Sequence, residues 1–78
     1  MKLFSEYRKD KNLSQAQLSQ ELINAGIKVS PASVAMYETG QRTPSLNKAR
    51  AIAQFFGVST DDIRFGTELT DLQPTGTD

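Results

Sequence analysis

Residues 29–40, reading VSPASVAMYETG, constrain the fold more than any other stretch of the chain. They carry the start and stop signals of one short helix. The Ser30 hydroxyl can cap its N-terminus. Pro31 falls at the first helical position, where a missing N–H costs nothing. Gly40 can take the left-handed conformation that ends a helix. Val34 and Tyr37 lie three apart and share a face. At about 100° per residue, Ala32, Met36 and Thr39 fall on the opposite side. One face is suited to a core, and the other carries small or slim side chains.

The flanking sequence repeats this punctuation. Residues 2–11 read as a first helix with Leu3, Phe4 and Tyr7 as its apolar stripe. Arg8 adjoins the stripe, and Asn12 is a stop. Ser14 and Gln17 form a capping-box pattern that opens a second helix, with Leu13 placed to staple the entry. Leu18 and Leu22 face inward, with Ile23 a further inward candidate, and Gly26 ends the helix. Ile27, Lys28 and Val29 connect it to the helix that follows Ser30. This junction is longer than a tight three- or four-residue turn.

Beyond Gly40, Gln41-Arg42-Thr43-Pro44 reads as a polar loop. Pro44 and Ser45 start a fourth helix with Leu46, Ala49, Ala53 and Phe56 as its stripe. Ile52 flanks the stripe, and Gly57 closes the helix. Ser59 and Asp62 suggest another capping box, opening a short fifth helix through Ile63 to about Arg64. No segment shows the alternation of a strand. The expected fold is all-α, a compact bundle of five helices in one domain over residues 1–66. Residues 67–78 read as an acidic tail or the stub of a linker to a further domain.

Composition removes several functions. The chain has 78 residues with neither cysteine nor histidine, so disulfides, thiolate nucleophiles and the usual zinc ligands are excluded. No metal and no cofactor is expected. There is no glycine-rich phosphate loop and no carboxylate cluster suited to catalysis. Asp61 and Asp62 are explained as charges favoured at a helix N-terminus. An enzyme is therefore not expected. No apolar run reaches the length of a membrane span and no signal peptide is visible, so the expected place is the cytoplasm.

Net charge is zero, from nine basic and nine acidic residues, which by itself speaks against nucleic acid. The distribution changes that. Residues 67–78 hold three acids (Glu68, Asp71, Asp78) and no base. The first 66 residues therefore carry nine bases against six acids, a net of +3.

Three segments carry a resemblance: LSQAQLSQEL, VSPASVAMYETGQRTPS and IAQFFGVSTDDI. Together they are similar to the phage-repressor and Cro type of helix-turn-helix, the xenobiotic-response-element family with its lambda-repressor-like DNA-binding domain. The likeness covers roughly residues 3–66. It implies a sequence-specific DNA-binding regulator of transcription, a repressor of phage, mobile-element or bacterial type. It also implies a homodimer on paired half-sites of double-stranded DNA, in the nucleoid. By position, Ser30, Pro31, Ala32, Ser33 and Met36 would face bases in the major groove. Gln15, Thr39, Gln41, Arg42 and Thr43 would meet phosphates. Arg8 and Glu38 match a structural ion pair of the family. The long junction adds Lys28 as a phosphate candidate, and Phe55 and Phe65 are candidates for a dimer seam.

The base-facing set departs from the family habit of long polar side chains. Ala and Met can touch thymine methyls and Ser hydroxyls take either role, but none gives a bidentate base contact. Specificity is expected to be modest, or to rest on DNA shape and the loop contacts. Plainer readings stand beside these. Gln15 is also an ordinary first-turn residue, Ala32 and Met36 an ordinary surface, and Lys28 and Arg42 ordinary solvated charges. The same bundle could also serve as a protein-interaction module or antitoxin with weak DNA binding.

Overall fold

Among the described residues, the start and stop signals resolve into four helices rather than five. The computed structural model describes residues 2–67. Along them run β1 (Lys2–Leu3), α1 (Phe4–Asp10), α2 (Gln15–Asn24), α3 (Pro31–Thr39) and α4 (Leu46–Phe56). A single 3-10 turn (Thr60–Asp62) and β2 (Ile63–Arg64) follow. Apart from Thr67, the tail assigned to residues 67–78 lies outside the described residues.

The helix ends are where local chemistry places them. The Ser14 hydroxyl accepts from the Gln17 amide at 3.1 Å, and the Gln17 side chain accepts from the Ser14 amide at 2.8 Å. That reciprocal pair satisfies two donors that the first turn of α2 leaves open. Ser45 caps α4 by accepting from the Lys48 amide at 3.2 Å. At the other end of α2, Gly26 has φ +87°. The reversal lets Ile27 N–H donate to Leu22 O at 2.8 Å and Gly26 N–H donate to Ile23 O at 2.9 Å, closing the helix. Asn12, with φ +57°, stops α1 in the same manner.

Two expected elements are different. The first helix begins at Phe4, because Lys2 and Leu3 pair in parallel with Ile63 and Arg64. The expected fifth helix is one 3-10 turn, after which the chain extends. The reason is burial. Ile63 and Phe65 are 1% and 2% exposed, with the half-buried Arg64 between them. Only an extended chain sends alternate residues into one core. Tyr7 Oη donates to Asp62 O at 3.1 Å, and Gly66 N–H donates to Tyr37 O at 2.8 Å, which hold this segment against α1 and α3.

The core joins Phe4, Leu18, Leu22, Ile27, Val29, Val34, Tyr37, Ala49, Ile52, Ala53, Ile63 and Phe65. Phe4 sits among rings. It meets Tyr37 edge-on at 6.2 Å and Phe56 edge-on at 6.1 Å, and Phe65 at a tilt at 5.2 Å. Leu46, expected in the inward stripe of α4, is 47% exposed instead. It occupies the first position of the helix, and the buried face runs through Ala49, Ile52 and Ala53. Ile23 is likewise 47% exposed, one residue past the inward-facing Leu22.

Candidate nucleic-acid interface

α2 and α3 make the most extensive helix–helix contact of the fold. Leu18 and Leu22 from α2 and Val34 and Tyr37 from α3 are all fully buried, so the joint between the two helices is apolar. Residues 25–30 connect them. Ile27 and Val29 on this connector are buried, while Lys28 between them is exposed. Alternate burial on an extended segment turns Lys28 outward.

The joint also contains a buried hydroxyl that sequence reasoning does not single out. Ser19 of α2 is 2% exposed, and its Oγ donates to Val29 O at 2.6 Å. No spacing signal links residues 19 and 29. The one hint available is that Ser19 stands beside Leu18 on a helix with an inward face.

The N-terminus of α3 is capped by Ser30, whose hydroxyl accepts from the Ser33 amide at 3.1 Å. The same hydroxyl donates to Ser33 Oγ at 3.1 Å. Gly40, with φ +82°, ends the helix. Val34, Tyr37 and Glu38 form the buried face. Ser30, Pro31, Ala32 and Thr39 are exposed, and Ser33 and Met36 are half-buried. The Thr39 hydroxyl is turned back onto Met36 O at 3.2 Å. In the loop beyond, Gln41 and Arg42 are exposed and Thr43 is half-buried.

Arg8 and Glu38 lie against each other. Arg8 Nε donates to Glu38 Oε2 at 2.5 Å, and Arg8 Nη2 donates to Glu38 Oε1 at 3.2 Å. Arg8 Nη1 donates to Leu13 O at 2.7 Å. The two side chains are only 13% and 9% exposed, so the pair is largely desolvated. A two-pronged guanidinium–carboxylate contact is the geometry that best offsets that loss of water. Gln15 joins the cluster, its Nε2 donating to Glu38 Oε1 at 3.1 Å. One amide hydrogen of Gln15 is thus committed inward, and an amide group has a second. Through Glu38, α3 is tied to α1 and to the start of α2, and Arg8 carries the link on to the loop at Leu13.

The two aromatic candidates for a seam separate. Phe65 is a core residue, 2% exposed, and offers no ring to a partner surface. Its pairing with Phe4 and Tyr37 is the reason. Phe55 is half-buried, edge-on to Phe56 at 5.1 Å, with the Lys11 ammonium 5.6 Å from its ring centre.

Among the described residues, no group of three or more His, Cys, Asp or Glu is placed to hold a metal ion. Among them too, no helix is long and apolar enough to cross a membrane.

A family profile described as helix-turn-helix matches residues 4–63, from the first residue of α1 to the first of β2. The chain belongs to the helix-turn-helix family. Within it, the type is that of the xenobiotic-response-element regulators. A curated relative, the HTH-type transcriptional activator BcrR of Enterococcus faecalis, is 33% identical over 70 residues. The match takes in 90% of this chain and 32% of the relative, so the chain spans about a third of that protein's length. No solved structure matches the chain significantly.

Proposed function

We propose that this helix-turn-helix chain is the DNA-binding unit of a transcription regulator, non-enzymatic, with α3 lying in the major groove. The observation that carries the reading is the division of α3. Val34, Tyr37 and Glu38 are buried, while Ser30, Pro31, Ala32 and Thr39 stand exposed on a helix anchored at both ends. Ser30, Pro31, Ala32, Ser33 and Met36 face bases in this reading. Gln15, Lys28, Thr39, Gln41, Arg42 and Thr43 face phosphates, and Arg8 and Glu38 hold the helix at its angle.

Chemistry supports a division of labour between these sets. The base-facing side chains are short, so they allow close approach without a two-pronged base contact. Affinity then comes mainly from the phosphate contacts of Lys28, Arg42 and the neighbouring amides and hydroxyls. The relative's printed role, transcriptional activator, supports regulation of transcription; a promoter reporter reads its sign in this chain. Recognition of paired half-sites by a homodimer is part of the proposal, with Phe55 as the aromatic left near the surface.

Gel-shift titration against the DNA upstream of the chain's own gene tests the reading. Binding that weakens steeply with salt is expected, because phosphate contacts release counterions. Absence of binding at near-physiological salt, with a tight protein partner recovered instead, would replace this reading with a protein-interaction module on the same fold.

A further inference from the structure

We propose that Ser19 is a positioning residue for DNA reading: its buried hydroxyl fixes the peptide that leads into α3 and so sets where the base-facing end of that helix sits. The proposal rests on the placement of α3 in the groove. Its physical basis is the 2.6 Å bond from Ser19 Oγ to Val29 O at a site that is 2% exposed.

Val29 O and Ser30 N belong to one peptide plane, which cannot bend between them. A hydroxyl that holds the oxygen therefore holds the plane. The next side chain along is the Ser30 cap, bonded to the Ser33 amide and to Ser33 Oγ. Three consecutive constraints thus run from the buried face of α2 to the first turn of α3. That first turn holds Pro31, Ala32 and Ser33, all among the proposed base-facing residues.

Packing alone does not supply this constraint. Ile27 and Val29 anchor the connector by burial, but apolar contact has little preference for direction and allows sliding. A hydrogen bond has an angular preference that apolar contact lacks. The connector is also long, so the geometry of a tight turn does not impose the angle between α2 and α3. The Schellman-type closure at Gly26 fixes the departure from α2, and Ser19 fixes the arrival at α3.

A purely space-filling role for Ser19 makes a different forecast, and alanine separates the two because it keeps the small size and removes the donor. Duplexes are enriched from a random pool by the wild-type chain. Dissociation constants for the enriched and a scrambled duplex are then measured for wild type, Ser19→Ala and Ser19→Cys, across a salt series, at a temperature where circular dichroism shows each folded. The expected result is a loss of about threefold or more in the enriched-to-scrambled affinity ratio for Ser19→Ala, since misplacing a reading helix weakens base contacts. The salt slope on the scrambled duplex stays unchanged, because phosphate contacts are retained. Ser19→Cys, with a weak S–H donor, falls between the other two.

A Ser19→Ala ratio that falls by less than this threshold overturns the proposal, whatever happens to its melting temperature. If Ser19→Ala does not fold, Ser19→Cys decides: a ratio equal to that of wild type overturns the proposal, and a measurable loss supports it. A wild-type chain that enriches no sequence overturns the groove placement of α3 and this proposal with it. Enrichment by wild type with no loss in the variants overturns Ser19 alone.

Discussion

Two neighbouring residues of α3, Tyr37 and Glu38, are held by different physics. Tyr37 lies edge-on to Phe4 at 6.2 Å and to Phe65 at 5.9 Å, within the ring cluster. Glu38 receives Arg8 and Gln15 in a nearly dry pocket. The first side gains with every apolar area removed from water, with little regard to orientation. The second gains only when donors and acceptors line up. The contrast separates two tasks. In the proposed reading, the ring side sets how strongly α3 docks and the polar side sets how it is turned.

Phe4→Ala is the most severe way to break the ring side. Removing a buried phenyl ring costs about 3–5 kcal/mol, a large part of the 5–15 kcal/mol or so that a small domain has in total. Urea titration followed by circular dichroism should show the unfolding midpoint shifted well down, with stability reduced by about 3 kcal/mol or more. A loss under about 1 kcal/mol would mean that the rings are not what holds α3.

On the polar side, Arg8→Ala strands the Glu38 carboxylate with Gln15 as its remaining side-chain donor. The expected cost is about 3 kcal/mol, since an unpaired buried charge is left behind. The double variant Arg8→Met/Glu38→Leu should recover most of that stability, because two apolar groups need no partners. Its discrimination between an enriched and a scrambled duplex should nevertheless be lower than in wild type, if the pair turns the helix. A double variant no more stable than Arg8→Ala would show instead that the pair itself is a source of stability.

Smaller changes sharpen the same division. Ser30→Ala removes the α3 cap and should cost about 1 kcal/mol, a melting shift of about 4–8 °C in a domain of this size. A shift below one degree or so would place the start of α3 under tertiary control alone. Arg42 is exposed, and Arg42→Ala should leave the chain folded by circular dichroism. It should lower the salt slope of DNA binding by about one unit, equally on all sequences. An unchanged slope takes Arg42 off the phosphate contacts.

Much of the local structure is legible before folding. The caps at Ser14, Ser30 and Ser45 and the stops at Asn12, Gly26, Gly40 and Gly57 each depend on residues within one or two turns, so the spacing alone marks them. Leu18, Leu22, Val34, Tyr37 and Ile52 follow from helical periodicity and are buried. Leu46 shows the limit of periodicity, which locates a stripe but not how far along it the core reaches. The fifth helix fails for a related reason. A local Ser59–Asp62 signal promises a helix, and the core overrides it by drawing in both Ile63 and Phe65. The candidate site is less legible. No spacing connects Arg8 to Glu38; family resemblance alone points to that pair, and nothing points to Ser19 and Val29.

Sequence by itself determined the caps and stops of α2, α3 and α4 and which family the chain resembles, because those signals are local bonds and short motifs. Tertiary structure decided the two-residue pairing of Lys2 and Leu3 with Ile63 and Arg64, the burial of Phe65, the turn of Gln15 toward Glu38 and the bond from Ser19 to Val29. Each of these joins groups far apart along the chain, or depends on which surfaces the other helices leave open. Residues 29–40 belong to both accounts. Their own sequence makes them a helix with a buried and an exposed side, and their partners elsewhere in the fold determine where the exposed side is aimed.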